Sequence, residues 1–106
     1  MQYISTRGEA PALGFSDTLL AGLARDGGLY LPQEWPHFDT GDIRALRGLS
    51  YAEMAVRLLT PFTGGEIDAK RFSAIVHEAY ATFRHDAVCP LVQTSANEFV
   101  LELFHG

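Results

Sequence analysis

Ser50-Tyr51-Ala52-Glu53-Met54-Ala55-Val56-Arg57-Leu58-Leu59-Thr60-Pro61-Phe62 is the stretch that decides how this chain folds. Its first four residues form a capping box, in which a serine hydroxyl and a glutamate carboxylate each take an amide that a helix start leaves unpaired. Behind the box, Tyr51, Met54, Ala55, Leu58, Leu59 and Phe62 recur at the spacing of one helical face. Thr60-Pro61-Phe62 ends or kinks that helix, since proline has no amide to donate. Gly64-Gly65 makes the turn, and Phe72, Ile75, Val76, Ala79, Tyr80 and Phe83 repeat the spacing in a second helix. So short a connection between two amphipathic helices predicts an antiparallel pair. With both faces buried, alanine at Leu58 or Ile75 would leave a cavity costing about 2–5 kcal/mol.

Outward from this pair the elements are shorter. Gln2 to Thr6 reads as a strand with Tyr3 and Ser5 on one face and Ile4 on the other. Arg7 to Gly14 is a loop, punctuated by glycine and proline. Ser16 is the expected N-cap of a helix carrying Leu19, Leu20 and Leu23, with Phe15 and Leu20 spaced as a hydrophobic staple. Gly27-Gly28 would end it, because glycine takes the left-handed conformation at little cost. Leu29-Tyr30-Leu31 is a strand stopped by Pro32, and a loop with Trp35 and Phe38 follows. Asp42 to Arg47 is a short helix candidate. Near the end, Val88 to Gln93 is strand-like, Ser95 to Glu98 is a turn, and Phe99 to Phe104 alternates as a second strand. These elements define an α+β fold: a small domain with an antiparallel helix pair, further short helices and a few short strands. A closing strand that runs out at Phe104-His105-Gly106, without cap or polar tail, is expected to mark a cut rather than a natural terminus.

The chain has 106 residues, 47% hydrophobic and 20% charged, with a formal net charge of −5. That suffices for one domain with a core. Its eight basic residues are scattered, which argues against a nucleic-acid or membrane-surface partner. No apolar run approaches the roughly 18 residues of a membrane span, and Met1 to Arg7 lacks a signal-peptide core, so a cytoplasmic location is expected. A single cysteine, Cys89, rules out an internal disulfide and a cysteine-based zinc site. The four histidines, His37, His77, His85 and His105, show no metal-pair spacing, so no metal site is expected. Lys70 is the only lysine and falls opposite the centre of the Phe72–Phe83 stripe, where solvent leaves it unfit for covalent cofactor chemistry. No complete active site is visible, and no catalytic or cofactor-binding residue is assigned within the chain.

Three blocks carry a resemblance. Tyr3-Ile4-Ser5-Thr6-Arg7-Gly8, then Gly22-Leu23-Ala24-Arg25-Asp26-Gly27-Gly28-Leu29-Tyr30-Leu31-Pro32, and finally Leu101-Glu102-Leu103-Phe104-His105-Gly106 resemble, in order, the start of threonine synthase. That family uses pyridoxal 5'-phosphate to convert O-phosphohomoserine and water into threonine and phosphate, a lyase step of threonine biosynthesis. The resemblance implies that residues 1–85 are the family's N-terminal domain and 86–106 the first strands of its catalytic domain. It also implies that the chain stops before the family's cofactor lysine, so the 106 residues alone would bind no cofactor and be inactive.

The same resemblance makes Arg7, Ser5, Thr6 and His105 candidates for positions near the substrate. Arg7 would suit a phosphate as a bidentate guanidinium, or would tie its loop to a helix end. Ser5 and Thr6 would donate to an anion, or satisfy strand-edge groups. His105 would support the active site or simply pack. Asp26-Gly27-Gly28 reads as a helix stop and strand start, Trp35 and Phe38 as cover for a small core, and Cys89 as an inert thiol with no basic neighbour. The rival reading is a non-enzymatic interaction module whose exposed strand Phe99–Phe104 recruits a partner or a second copy.

Overall fold

The computed structural model describes residues 1–106. In chain order the elements are β1 (Tyr3–Ser5), α1 (Phe15–Ala21), β2 (Tyr30–Pro32), α2 (Thr40–Arg44), α3 (Tyr51–Leu59), a 3-10 turn (Thr60–Thr63), α4 (Ala69–Ala81), β3 (Leu91–Ser95) and β4 (Glu98–Leu101). This is the α+β arrangement the sequence predicts. Ser50 and Glu53 form the capping box of α3: the Ser50 hydroxyl accepts from the Glu53 amide and the Glu53 carboxylate from the Ser50 amide. Pro61 ends the α-helical geometry, the chain tightens into the 3-10 turn, and Gly64 closes it at φ 61°. Asp68 then caps α4 through the amides of Lys70 and Arg71. Tyr51 at the start of α3 meets Tyr80 near the end of α4, ring centroids 4.9 Å apart, so the pair is antiparallel.

The shared helical face is narrower than its apolar stripe. Val76 and Ala55 are buried, and Phe72, Tyr80 and Phe83 are half-buried, but Ile75 is 46% exposed. The expected cavity cost at Ile75 therefore moves to its neighbour. Val76→Ala is expected to cost about 2 kcal/mol and Ile75→Ala less than about 1 kcal/mol, measured by urea denaturation.

Several expected boundaries shift. Strand β2 includes Pro32, which sits opposite Tyr3 at the strand's end, where a missing amide costs no ladder bond. The short helix α2 begins at Thr40, two residues before Asp42, because Asp39 and Asp42 make a second capping box. Helix α1 begins at Phe15, so Ser16 is not its cap. The carboxylate of Glu66, from the turn before α4, accepts from the amides of Phe15 and Ser16 at 2.7 and 2.8 Å. The helix also stops early, at Ala21, where Gly22 takes φ 68°.

Ser16's side chain and the backbone amides of Ser16 and Phe15 hold the Glu66 carboxyl below its ordinary 4.5. A lowered folded-state value means the stabilisation is complete above about pH 4.5 and is lost as pH falls through the folded value. Glu66→Gln is expected to flatten the acid limb of a thermal-stability profile followed by circular dichroism.

Little of the molecule is sealed. The core is small: Tyr3, Ala24, Ala55, Val76 and Val88, with Ser5 and Thr63 as buried polar residues. Leu19, Leu20 and Leu23 of the first helical region are 69%, 86% and 67% exposed. Every residue of the β3–β4 hairpin is exposed. The accessible surface is 7822 Å², against roughly 5,900 Å² for a compact protein of this mass. The radius of gyration is 16.6 Å, against about 13 Å for a compact chain of this length.

Candidate functional site

Three of the four candidate residues come together where β1 leaves its sheet. The strand holds Tyr3 and Ser5 inward, as their alternation predicts. Tyr3 exchanges backbone bonds with Leu13 on one side, and β2 pairs on the other. Beyond Ser5 the Thr6 amide reaches the Leu29 carbonyl at 2.8 Å, and the Leu29 amide returns to the Thr6 hydroxyl at 3.0 Å.

Asp26 organises this corner. Its Oδ1 accepts from the Ser5 hydroxyl at 2.8 Å and the Gly28 amide at 2.9 Å. Its Oδ2 accepts from the amides of Glu9 and Ala10 at 3.0 and 2.9 Å. Burial pushes this carboxyl up, but the bonds from Gly28, Ser5, Glu9 and Ala10 together win and hold it below its ordinary value. The Asp26 main-chain carbonyl accepts from Arg7 Nη1 at 2.9 Å.

Gly28 must be glycine for reasons of space. A Cβ there would stand 2.3 Å from Ser5 Oγ and 2.9 Å from Thr6 Oγ1. Gly27 takes φ 79°, and a Cβ on it would meet the Arg7 guanidinium at 2.9 Å. Asp26-Gly27-Gly28 is thus a socket for Ser5-Thr6-Arg7, more than a helix stop, because α1 has already ended at Ala21.

Within the socket the Ser5 hydroxyl proton is committed to Asp26, and Thr6 Oγ1 accepts from Leu29. Arg7 spends one donor on the Asp26 carbonyl, and its exposed side chain keeps the others. His105 stands elsewhere. Its Nε2 pairs with Glu102 at 2.7 Å, and its ring lies 4.9 Å from that of His85 beyond the end of α4. It shares no hydrogen bond with the Ser5–Arg7 corner.

The remaining reactive groups are dispersed. Cys89 Sγ and Tyr51 Oη share a hydrogen bond at 3.5 Å, and that bond, with burial and the neighbouring Tyr80, pushes the phenol up to about 12. Trp35 is exposed and sets its edge on Phe62. Grooves of about 400 and 340 Å³ flank α3. One is lined by residues including Phe38, Asp42 and Arg57, the other by Tyr51, Met54, Leu58 and Tyr80. No group of histidine, cysteine and acidic side chains is placed to hold a metal. No helix is long and apolar enough to cross a membrane. Lys70 is exposed on the first turn of α4 and lines no cavity.

The Asp26 hub is the part of the site that sequence reading missed. Its signal was present: an aspartate two residues before a glycine is the pattern of a turn closed by a carboxylate on the amide two residues ahead.

The α+β domain thus combines a hydrogen-bonded polar corner with broad uncovered apolar faces. The family model described as threonine synthase N terminus matches residues 2–80. The chain belongs to that family. It is 56% identical over its whole length to the threonine synthase of Pseudomonas aeruginosa, of which it spans 23%. It superposes in full, with 76% identity and a TM-score of 0.92, on 23% of a pyridoxal-phosphate-bound threonine synthase from Brucella melitensis. It is also 33% identical, with a TM-score of 0.85, to 22% of the yeast threonine synthase. The chain therefore spans about a quarter of the length of the relatives it matches.

Proposed function

We propose that this chain serves as the N-terminal domain of a cytoplasmic, pyridoxal-phosphate-dependent threonine synthase acting on O-phosphohomoserine. The observation that carries the reading is the full-length superposition at 76% identity on the cofactor-bound Brucella enzyme. In this reading residues 1–85 are the N-terminal domain and 86–106 begin the catalytic domain, which covers the apolar surface left bare here. The cofactor supplies the electron-withdrawing chemistry in the longer protein, on a lysine other than Lys70.

This domain's own contribution is positional. Asp26 fixes the Ser5-Thr6-Arg7 corner, and Arg7 presents its remaining donors to the substrate phosphate. Ser5 and Thr6 hold the corner in shape. On the segment that begins the catalytic domain, His105 serves in this reading as support for the active site.

The test is a phosphate-release assay with O-phosphohomoserine on the longer reading frame and on the 106-residue chain. Turnover by the longer protein only, with Arg7→Ala raising KM more than it lowers kcat, is the expected result. Turnover or a Lys70-dependent Schiff-base absorption band from the 106-residue chain would overturn it.

A second reading rests on the hairpin. Phe99, Val100, Leu101, Leu103 and Phe104 are all exposed, and a two-stranded ribbon alone is marginal in water. A second copy pairing through residues 99–104 would cover them. Sedimentation decides: concentration-dependent association lost on deleting 95–106 favours this module, and a strict monomer removes it.

A further inference from the structure

The turn that joins α4 to the hairpin is strained, and a histidine holds it. Val88 is buried yet takes φ 61°, a left-handed conformation that a β-branched residue adopts only under constraint. The Cys89 amide reaches back to the Ala87 carbonyl at 2.6 Å, so Val88 sits at the centre of a tight γ-turn of the rare positive-φ kind. Two bonds support it from His85. The Val88 amide donates to the His85 carbonyl at 2.8 Å, and the Ala87 amide donates to His85 Nδ1 at 3.1 Å.

A backbone amide can only donate, so Nδ1 accepts. The imidazole in this arrangement is neutral, with its proton on Nε2.

The ring also faces the end of the chain. His85 lies 4.9 Å from His105, the Arg84 amide donates to the His105 carbonyl at 2.9 Å, and His105 pairs with Glu102. The Glu102 amide in turn donates to the Pro90 carbonyl. The titratable groups beside His85 in sequence are Arg84 and Asp86, and His105 and Glu102 lie on the facing segment.

We propose that His85 is a proton-sensitive latch that, when neutral, holds the strained 86–90 turn and the 102–106 segment against the end of α4, and when protonated releases both. A proton arriving at Nδ1 makes it a donor facing the Ala87 donor, so that bond is lost. The new charge also faces the His105 ring, 4.9 Å away. Val88 is then free to relax to negative φ, and the hairpin that follows Pro90 loses its fixed orientation. Histidine is the side chain whose ordinary titration lies in the range where such a latch operates, between pH 5 and 8.

The test is amide hydrogen exchange by NMR on the 106-residue chain between pH 8 and pH 5.5, corrected for intrinsic rates. Protection at Arg84 and Ala87 is expected to fall about tenfold on acidification, the scale of one lost hydrogen bond, while α3 amides keep theirs. His85→Asn places a non-titrating Oδ1 where Nδ1 stands and is expected to make protection at both amides independent of pH. Protection that is flat in the unmodified chain, or a fall that persists in His85→Asn, would overturn the latch. Should that variant disturb the turn, the ring nitrogens of the unmodified chain decide: a protonated Nδ1 at pH 8 refutes the proposal, and an unprotonated Nδ1 that gains its proton as Ala87 loses protection supports it.

Discussion

Replacing Tyr3 by alanine is expected to destabilise the domain by about 4 kcal/mol, the scale of removing a buried aromatic side chain. Tyr3 is one of the few large buried residues, and it connects the two halves of the fold. Its backbone pairs with Leu13 and Pro32, its ring packs on Phe15 at 6.4 Å, and its hydroxyl donates to the Phe62 carbonyl at 2.7 Å. Burial, then the Glu66 carboxylate, raises the phenol above its ordinary value, so it remains a donor across the working pH range. A domain of this size is stabilised by roughly 5–15 kcal/mol in total, and one with so small a core stands at the low end. The alanine variant is therefore expected to populate unfolded chain in water. Tyr3→Phe separates the two effects: it keeps the ring and costs about 1 kcal/mol for the unmatched carbonyl. Trp35, packed on Phe62, reports both variants by fluorescence in urea titrations. Equal costs for the two would show that the ring contributes nothing.

The parts of the fold legible in sequence are those whose stabilising partners lie within a few residues. Ser50 and Glu53 announce α3 because cap and partner lie three apart. The Asp39–Asp42 box uses the same geometry with aspartate in both places, and it was overlooked because the expected pattern has serine or threonine first and glutamate or glutamine last. The cap of α1 was not legible at all. Glu66 reaches Phe15 and Ser16 from about fifty residues away, and no local pattern encodes that contact. Ile75 shows a different limit. Periodicity marks a residue as apolar and on the right side of a helix, but it does not say how much partner surface is there to cover it. In a chain with excess accessible area, part of each stripe stays in water. The resemblance singles out Arg7, Ser5 and Thr6 as candidates, whereas the residue that brings them together, Asp26, acts mainly on residues that precede it by 16 to 21 positions.

That organiser defines the other large effect. Gly28→Ala is expected to cost about 3 kcal/mol and to abolish any role of Arg7 with it. The added methyl would lie 2.3 Å from Ser5 Oγ, 2.9 Å from Thr6 Oγ1 and 3.0 Å from Asp26 Oδ1. These are side-chain atoms, which elsewhere would swing aside, but here each is already bonded. Ser5 Oγ cannot leave Asp26 without leaving a buried hydroxyl unmatched, and Thr6 Oγ1 cannot leave without freeing the Leu29 amide. Gly28 itself is buried and bonds Ala24 through its carbonyl and Asp26 through its amide, so its backbone has no slack. Gly27→Ala is the instructive companion. It combines a φ of 79° with a clash only against the Arg7 guanidinium, the far end of a flexible side chain. Its backbone cost is about 1 kcal/mol, and its main consequence is displacement of Arg7 from the Asp26 carbonyl. On the proposed reading the two variants separate in a protein that carries the catalytic domain: Gly28→Ala lowers stability and activity together, whereas Gly27→Ala raises KM for the proposed substrate at a stability cost of about 1 kcal/mol. A Gly27→Ala protein with unaltered KM would remove Arg7 from the substrate's neighbourhood while leaving the socket intact as a structural device.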